Sequence, residues 1–275
     1  MEQHHFDIVN HATPRLESMN KALGRGKYTD DLELPNMACA ALVRCPYSHA
    51  KVLSIDVSEA EKVPGFLGCA LPEEAPQAYF NCSGNPPSPL LMADEKVLTT
   101  EPLTICDRVA VVAAETEEAA RAAAEAVKVE YENLAPILDV KAALADNVPA
   151  MQPHLSDTNV VQRREVSQGD IAVGEEKSDI ILEDHFVTPP MQHTMIELTC
   201  CICDFSDGEH MTIYSCSQTV FQERRILAEL FGLKEVDVHI IKPLVGAGFG
   251  ARQQLHAQHA AALISRTMRP PSMKP

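Results

Sequence analysis

A strand, a helix and a second strand follow one another directly over residues 108–131, and this succession constrains the fold more than any other feature. Residues 108–114, RVAVVAA, are almost wholly apolar, as in a buried strand. Thr116 can cap a helix over residues 117–127, EEAARAAAEAV, because its hydroxyl can accept a backbone N–H. Residues 127–131 then predict another strand. The short connections are consistent with a βαβ unit or a ferredoxin-like piece, so we expect helices packed on sheets.

Shorter patterns on either side of this unit predict further elements. Ser58 and Glu61 have the spacing of a capping box, so a helix of about two turns should begin there. Residues 219–231 have an apolar face at helical spacing, and Gly232 can end that helix. Strands are predicted over residues 37–44, 51–57, 66–71, 180–187, 196–205, 211–216 and 236–241, a loop over 72–95, and a last helix over 252–266.

Charge and composition exclude several classes of protein. The chain has 275 residues, and 23 Lys and Arg against 39 Asp and Glu give a net charge of −16. This balance argues against binding to nucleic acid or to an anionic membrane surface. No run of about 18 apolar residues predicts a membrane span, and the N-terminal residues lack the apolar core of a secretory signal. Because there is no export signal and the nine cysteines are an odd number, we expect reduced thiols and a cytoplasmic protein.

Residues 246–250, Gly-Ala-Gly-Phe-Gly, are the strongest local motif and are called the glycine loop below. The loop is predicted between a strand and a helix, where backbone N–H groups can point at an anion. Its spacing differs from the G-x-G-x-x-G of dinucleotide-binding folds, and no G-K-[ST] follows as in a P-loop. Taken alone, the loop is as consistent with a tight turn as with an anion-binding or cofactor-binding loop.

Four cysteines lie close together in sequence but do not have the spacing of a metal site. Cys200, Cys201 and Cys203 precede Cys216, whereas zinc sites usually show C-x₂₋₄-C pairs and iron–sulfur sites need other spacings. We interpret them as buried thiols, with Cys201 and Cys203 on one face of a strand and Cys200 on the other.

The histidines allow two interpretations. Gln192 and His193 with Glu197 could form an acid–base pair, although a structural role for a partly buried histidine and a surface glutamate is favoured. His256 and His259 are three residues apart on the predicted last helix, and we interpret them as part of a polar helix face.

The order of the motifs is more informative than any single one. Residues 24–31, GRGKYTDD, resemble the G-x-A-x-Y-x-x-D opening of the xanthine dehydrogenase and aldehyde oxidase family, and residues 44–50, RCPYSHA, resemble its R-S-P-x-A-H-A. Residues 55–65 fit its I-D-x-x-x-A-x-x-x-P-G, and residues 109–136 resemble its P-V-A-x-V segment with the V-x-V-x-Y-x-x-L-P that follows. Together these stretches resemble the family's a/b hammerhead domain.

The second half continues in the order of the same family. Residues 188–197, TPPMQHTMIE, resemble T-P-x-x-x-H-x-x-x-E, and residues 215–218, SCSQ, resemble S-S-T-Q. Residues 243–252, PLVGAGFGAR, resemble P-x-V-G-G-G-F-G-x-K. The resemblance covers about residues 15–270 and is greatest to the molybdenum-binding large subunit of bacterial xanthine dehydrogenases.

The resemblance implies an α+β fold, in which an a/b hammerhead domain is followed by the incomplete first part of an α+β molybdopterin-binding domain. The expected divisions are an N-terminal tail over residues 1–15, the hammerhead domain over 16–145, a linker over 146–178, and a truncated molybdopterin-binding part over 179–275.

The same resemblance implies roles for residues around a molybdenum centre that takes no side chain of this chain as a direct ligand. Gln218 would hydrogen-bond an oxo ligand of the molybdenum, Phe249 would pack against a planar substrate ring, and the Gly250 N–H would lie at the inner sphere of the metal. The implied cofactor-binding set is Gln218, Gly248, Phe249, Gly250, Ala251 and Arg252.

Three positions depart from the family pattern. Ala247 replaces the middle glycine, which matters if that residue needs a positive φ. Arg252 replaces the usual lysine. Gln253 stands where many purine-oxidising members have a substrate-contacting glutamate, so it can hydrogen-bond a purine but carries no charge.

By resemblance, the chain is part of a molybdenum hydroxylase that oxidises a purine such as hypoxanthine or xanthine with oxygen derived from water. The implied cofactor is molybdenum–molybdopterin in a dinucleotide form, with no FAD or iron–sulfur cluster on this chain. Electrons would pass to a 2Fe-2S subunit and an FAD-binding subunit. The family's catalytic glutamate lies downstream of residue 275, so we expect the isolated chain to lack turnover and to need the C-terminal part of the large subunit.

Two alternatives stay open on the sequence. One is a non-catalytic module for subunit assembly, in which the hammerhead domain packs against a partner. The other is a relative that oxidises aldehydes, nicotinate or carbon monoxide.

Overall fold

The computed structural model describes residues 7–83 and 92–268, which form small sheets with helices packed on them. The first sheet is antiparallel in the order β1–β4–β3, the second pairs β2 with β5, and the third has the order β6–β7–β8 with β7 and β8 parallel. The strands are β1 Cys39–Arg44, β2 Ala50–Asp56, β3 Phe66–Ala70, β4 Arg108–Ala114, β5 Lys128–Asn133, β6 Cys201–Asp204, β7 Met211–Ser215 and β8 Val238–Ile241. The helices are α1 Ser18–Ala22, α2 Glu117–Ala126, α3 Val140–Ala143, α4 Ile171–Glu176, α5 Val220–Phe231 and α6 Gln258–Thr267.

Strand β4 is the centre of the first sheet, because it is apolar on both faces. All residues from Val109 to Ala114 are at most 1% exposed. Val112 belongs to a core that includes residues of α2, whereas Val111 and Ala113 belong to a second core with residues of α5 and α6. The buried strand predicted over residues 108–114 is therefore confirmed.

The interpretation of residues 108–131 as a βαβ unit is wrong. Strand β5, which follows α2, pairs with β2 in a separate antiparallel ribbon. The reason is that β1 and β3 already occupy both edges of β4. The helix itself forms as expected, with the Thr116 Oγ1 accepting the Ala119 N–H at 3.1 Å.

The helix predicted from a capping box at Ser58 is also wrong. Residues Ala60–Lys62 form a single 3-10 turn, and the Glu61 N–H donates to the Val57 carbonyl at 3.0 Å rather than to the Ser58 hydroxyl. A segment this short before Pro64-Gly65 cannot offset the cost of nucleating an α-helix.

In the second half, helix α5 forms as predicted and ends at Gly232 with φ 69°. The last helix does not follow the glycine loop directly. One 3-10 turn, Ala251–Gln253, comes first, and α6 begins only at Gln258. The interval contains the extended Gln254, whose neighbour Leu255 donates its N–H to the Cys82 carbonyl at 2.9 Å. This hydrogen bond to a residue distant in sequence diverts the backbone from a helical path.

The strand predicted over residues 180–187 does not form, and that over 196–205 shortens to β6. The residues from 179 to 200 form neither a helix nor a strand, and no described strand pairs with them. A strand needs a partner for its backbone groups, so apolar patterning alone is insufficient here. The apolar side chains left exposed are Ile180, Ile181, Leu182, Phe186, Val187, Met191, Ile196 and Leu198.

The two halves share a core rather than lying apart. The second core joins Phe80, Val97 and Leu98 of the first half to Leu227 and Leu263 of the second. Among the described residues, no helix is long and apolar enough to cross a membrane.

Candidate functional site

The glycine loop lies between β8 and the 3-10 turn Ala251–Gln253, with the N-terminal motif against its approach. Leu244 donates its N–H to the Lys27 carbonyl at 3.1 Å, and Tyr28 forms a parallel bridge with Leu244. The motif of residues 24–31 therefore supports the segment that enters the loop. The loop is followed by a 3-10 turn, and α6 begins only at Gln258. Any anion bound here would therefore meet loop amides rather than the N-terminus of an α-helix.

Gln218 is held by hydrogen bonds to the backbone at the C-terminal end of the loop. Its Oε1 accepts the N–H of Gly250 at 3.2 Å and that of Arg252 at 3.3 Å, and its own N–H donates to the Arg252 carbonyl at 2.9 Å. Two N–H donors at one oxygen fix which end of the carboxamide is the oxygen. Gln218 is an exposed residue, and its Nε2 group donates to no acceptor among the described residues.

Gly248 leaves room for the Gln218 carboxamide in this position. A Cβ at position 248 would lie 2.2 Å from the Gln218 Oε1, closer than any real contact. Gly246 is confined in a similar way, since a Cβ there would lie 2.8 Å from the Cβ of Glu197. Two of the three loop glycines are thus explained by close approach of neighbouring side chains.

The loop backbone bends through the left-handed region. Ala247 has φ 95°, Phe249 φ 47° and Gly250 φ 91°. Within the described residues, the N–H groups of Ala247, Gly248 and Phe249 donate to no protein acceptor. Successive amides in such turns make anion-binding concavities. Together with the Gln218 Nε2 group, they form a donor set that fits an anionic, oxygen-rich group such as a molybdopterin.

Phe249 and Gln253 flank this donor set. The Phe249 side chain is 71% exposed, which is unusual for a large apolar ring and leaves its face available to a flat ligand. Gln253 also exposes its side chain, while its carbonyl accepts from the Gln222 Nε2 at 3.2 Å. The structure thus brings Gln218, predicted from the motif of residues 215–218, next to Gly250 of the glycine loop, the segment from which the roles of Phe249 and Gln253 were predicted.

Arg252 and Glu197 form a buried ion pair that sequence reasoning did not find. The Arg252 Nη1 pairs with the Glu197 Oε2, and the two side chains are 1% and 9% exposed. The Arg252 Nη2 also donates to the Glu197 carbonyl at 2.6 Å, and the Glu197 Oε2 accepts the Gly246 N–H at 2.6 Å. Since Glu197 occupies the guanidinium, Arg252 faces the protein interior and supports the loop from beneath. In the sequence, the only signal for this pair is that Arg252 follows the glycine loop while Glu197 ends the motif of residues 188–197.

The acid–base pairing of His193 with Glu197 does not form in the structure. His193 is exposed, and Glu197 is bonded to Arg252 and Gly246.

The interpretation of His256 and His259 as a polar helix face is wrong. His256 precedes α6, and His259 is fully buried, because its side of α6 packs against Phe80 in the shared core.

The clustered cysteines are unpaired thiols within the fold. All nine cysteines lie in the described ranges, and none forms a disulfide. Cys201 and Cys203 pack against the second core, and burial raises the pKa of Cys200 to about 12. No group of three or more His, Cys, Asp or Glu among the described residues is placed to hold a metal ion.

A buried carboxyl next to the site was also missed. Glu223 on α5 is 3% exposed, and burial raises its pKa to about 7. The amphipathic pattern of residues 219–231 did not reveal it, because the polar residues of α5 include two, Gln222 and Glu223, that face inward.

Comparisons with known proteins agree with the fold. The family model for the aldehyde oxidase and xanthine dehydrogenase a/b hammerhead domain matches residues 23–135, and the model for the molybdopterin cofactor-binding domain matches residues 153–272. The second match begins inside the expected linker, so the boundaries at 145 and 179 stay a prediction.

Individual relatives show the same relationship. The chain is 28% identical to the nicotinate dehydrogenase large molybdopterin subunit of Eubacterium barkeri, over 98% of this chain and 61% of that protein. It is 29% identical to the xanthine dehydrogenase molybdenum-binding subunit of Escherichia coli O157:H7, over 91% of this chain and 34% of that protein. The chain thus spans less than two thirds of the length of these relatives.

A solved structure supports the fold. The aldehyde oxidoreductase of Desulfovibrio gigas superposes with a TM-score of 0.82 at 25% identity, over 92% of this chain and 28% of that one. The resemblance over residues 15–270 and the α+β fold class are therefore confirmed. The chain belongs to the aldehyde oxidase and xanthine dehydrogenase family, with an a/b hammerhead domain followed by a molybdopterin cofactor-binding domain.

Proposed function

We propose that the chain contributes one wall of the cofactor and substrate site of a larger molybdenum hydroxylase. In this proposal the glycine loop and Gln218 hold the molybdenum–molybdopterin cofactor, in a dinucleotide form, and Phe249 and Gln253 contact the substrate. When bound, the cofactor supplies the two-electron oxidation, while protein groups orient it and the substrate.

The orientation of the Gln218 carboxamide carries this proposal. Its oxygen is occupied by the N–H groups of Gly250 and Arg252, so its Nε2 group is the end presented outward. An amide donor beside the free N–H groups of Ala247, Gly248 and Phe249 suits an anionic oxygen acceptor. A simple tight turn would not need a second side chain to be held against its inner edge.

We propose a purine, hypoxanthine or xanthine, as the substrate. The exposed ring of Phe249 offers a flat apolar face, and the Gln253 carboxamide can both donate and accept a hydrogen bond at the edge of a heterocycle. The similarity to a xanthine dehydrogenase molybdenum-binding subunit supports this choice. The electrons would leave through an iron–sulfur subunit and a flavin subunit.

A pyridine carboxylate is the second candidate. The similarity to a nicotinate dehydrogenase large subunit extends over 98% of this chain and favours it. The uncharged Gln253 also favours it, because a glutamate at that position would repel a carboxylate substrate.

Isolation from the native source tests the proposal. The gene is tagged at its own locus, the complex is purified, its molybdenum content is measured, and oxidation of hypoxanthine, xanthine and nicotinate is assayed. We expect molybdenum with one of these activities, and loss of molybdenum in a Gln218→Ala variant. A complex without molybdenum would overturn the proposal, and one that carries molybdenum but oxidises only nicotinate would replace the purine by the second candidate.

A further inference from the structure

A line of buried hydrogen bonds joins α5 to the segment that follows the glycine loop. The Ser215 Oγ donates to the Glu223 Oε2 at 3.1 Å, and the Gln258 Nε2 donates to the Ser215 Oγ at 3.1 Å. Glu223, Ser215 and Gln258 are 3%, 0% and 3% exposed. With His256, these residues are called the buried network, and none of them is part of the site described above.

The other end of the buried network reaches the loop. The Gln258 Oε1 accepts the N–H of His256 at 2.7 Å and that of Ala257 at 3.0 Å. His256 then contacts the Ala251 carbonyl through its Nε2 at 2.7 Å. Because a carbonyl only accepts, the histidine must carry its proton on Nε2. Ala251 directly follows Gly250, the last residue of the glycine loop.

The same stretch of backbone holds Gln218. The N–H groups of Gly250 and Arg252 donate to the Gln218 Oε1, and the Arg252 carbonyl accepts the Gln218 N–H. The carbonyl of Ala251, between them, is the group that the buried network fixes. A change at the far end of the network can therefore move the residues that orient the Gln218 carboxamide.

We propose that Glu223 is a positioning residue for Gln218, acting through Ser215, Gln258 and His256. The inference rests on the proposed function only in treating Gln218 as the group that faces the cofactor. The hydrogen bonds themselves belong to the protein and can be tested without cofactor or substrate.

Glu223 is buried without a counter-charge, which disfavours its ionised form, although the hydroxyls of Ser217 and Ser215 partly offset this. On β6 it faces the thiols of Cys201 and Cys203, on β7 the Ser215 hydroxyl, and next to β7 the Ser217 hydroxyl. None of the described cations forms an ion pair with it, and the neighbouring Arg224 pairs with Glu235 instead. Its Oε1 is buried without a partner. Burial raises the pKa of Glu223 to about 7, so the proton stays on the carboxyl up to neutral pH.

Ionisation of the buried Glu223 should therefore destabilise the packing around the network as the pH rises. The folded-state pKa is above the unfolded value of 4.5, so the folded chain holds a proton that the unfolded chain has released. The contribution of Glu223 to stability falls as the pH rises from 4.5 and levels off above about 7. That pKa difference limits the effect to about 300-fold in the folding equilibrium constant.

The experiment is hydrogen exchange of the whole chain at residues 250–258, corrected for the intrinsic dependence on pH, with denaturant unfolding at the same pH values. The variants are Glu223→Gln, which keeps the shape and removes the charge, and Ser215→Ala, which breaks the network in the middle. Glu229→Gln is the matched control, because it removes the same charge from an exposed position of the same helix.

We expect exchange at residues 250–258 of the wild type to speed up at least tenfold between pH 5.5 and pH 8.5. This is within the limit of about 300-fold that the pKa difference of Glu223 sets. Glu223→Gln should abolish this change and match the slow exchange of the wild type at low pH. Ser215→Ala should exchange quickly at both pH values, and Glu229→Gln should behave as the wild type. An unchanged pH profile in Glu223→Gln, or full protection in Ser215→Ala, would overturn the inference, whether or not the native complex contains molybdenum.

Discussion

At the residue scale, single side chains determine whether the glycine loop can adopt its left-handed backbone conformations and its close contacts. Ala247 has φ 95°, where an L-residue with a Cβ is strained and glycine is not. The family pattern has glycine at this position, so this chain carries strain in the middle of its candidate site.

Ala247→Gly should therefore stabilise the chain. Relief of a left-handed alanine is worth about 1 kcal/mol in the free energy of unfolding, partly offset by the greater freedom of glycine in the unfolded chain. Urea unfolding measures the change. Ala78→Gly, at an exposed loop position with no positive φ, is the control and should destabilise by about 0.4–1 kcal/mol. Equal destabilisation by both changes would show that Ala247 is unstrained.

Gly248→Ala should displace Gln218. A Cβ would lie 2.2 Å from the Gln218 Oε1, so the carboxamide must move and lose its bonds to Gly250 and Arg252. Because Gln218 is exposed and its side chain can move away, we expect a loss of only about 1 kcal/mol, typical of a lost hydrogen bond, and faster amide exchange at residues 250–252. Gly174→Ala in α4 has no atom within 4 Å of the added Cβ and should not destabilise. Slow exchange preserved in Gly248→Ala would contradict the proposed contact.

At the element scale, the coil that leads to β6 is joined to the 3-10 turn after the glycine loop by one ion pair. Glu197 and Arg252 are 55 residues apart and both nearly buried, and the pair also satisfies the Gly246 N–H and two carbonyls of the coil. Buried charges without their partner are costly, so this pair holds two elements in one arrangement.

Glu197→Gln should destabilise strongly, because it leaves the Arg252 guanidinium buried without a counter-charge. Removing one partner of a buried pair costs about 3–5 kcal/mol, which urea unfolding would detect. The control is Glu117→Gln, whose partner Arg121 is on the same helix face with both side chains more than 65% exposed. That change should cost at most about 0.5 kcal/mol. Similar losses for the two variants would mean that the Glu197 pair is screened by solvent.

At the scale of the whole molecule, the two halves are held together by a shared core. Strand β4 contributes one face to each core, and Phe80 of the first half contacts His259 of α6 with ring centroids 5.4 Å apart. His259 is fully buried, and neither ring nitrogen has a partner among the described residues. Burial holds the pKa of His259 well below its usual 6.5.

This histidine predicts acid sensitivity of the junction between the halves. Below pH 6.5 the unfolded chain protonates His259 and the folded chain does not, so the contribution of His259 to stability is present above that pH and is lost as the pH falls, opposite in sign to the contribution of Glu223. The loss is about 1.4 kcal/mol for each pH unit. His259→Leu should remove this acid loss. The free energy of unfolding of the variant should therefore rise relative to that of the wild type as the pH falls from 7 to 5. His210→Gln, at an exposed position, should leave the acid loss in place; a constant difference for His259→Leu would contradict the assignment.

The accuracy of the sequence-based expectations followed how local each interaction is. Helix α2 with its Thr116 cap, strand β4, and helix α5 with its terminal Gly232 depend on neighbouring residues, and their patterns were sufficient. The pairing of β5 with β2 depends on which strand edges are already occupied, and no local pattern records that. The apolar residues 180–187 have strand patterning but no described partner, so pattern alone overpredicted a strand.

The sequence by itself determined the family, the order of the two domains, and the motifs that contain Gln218, Phe249 and Gln253, because these depend on residue type and spacing. Only the tertiary structure decided how Gln218 is oriented, that Arg252 points inward to Glu197, and that Glu223 and His259 are buried. Each of these depends on contacts between residues distant in the chain, and burial of a charge or of an unpaired nitrogen exists only once those segments have packed together.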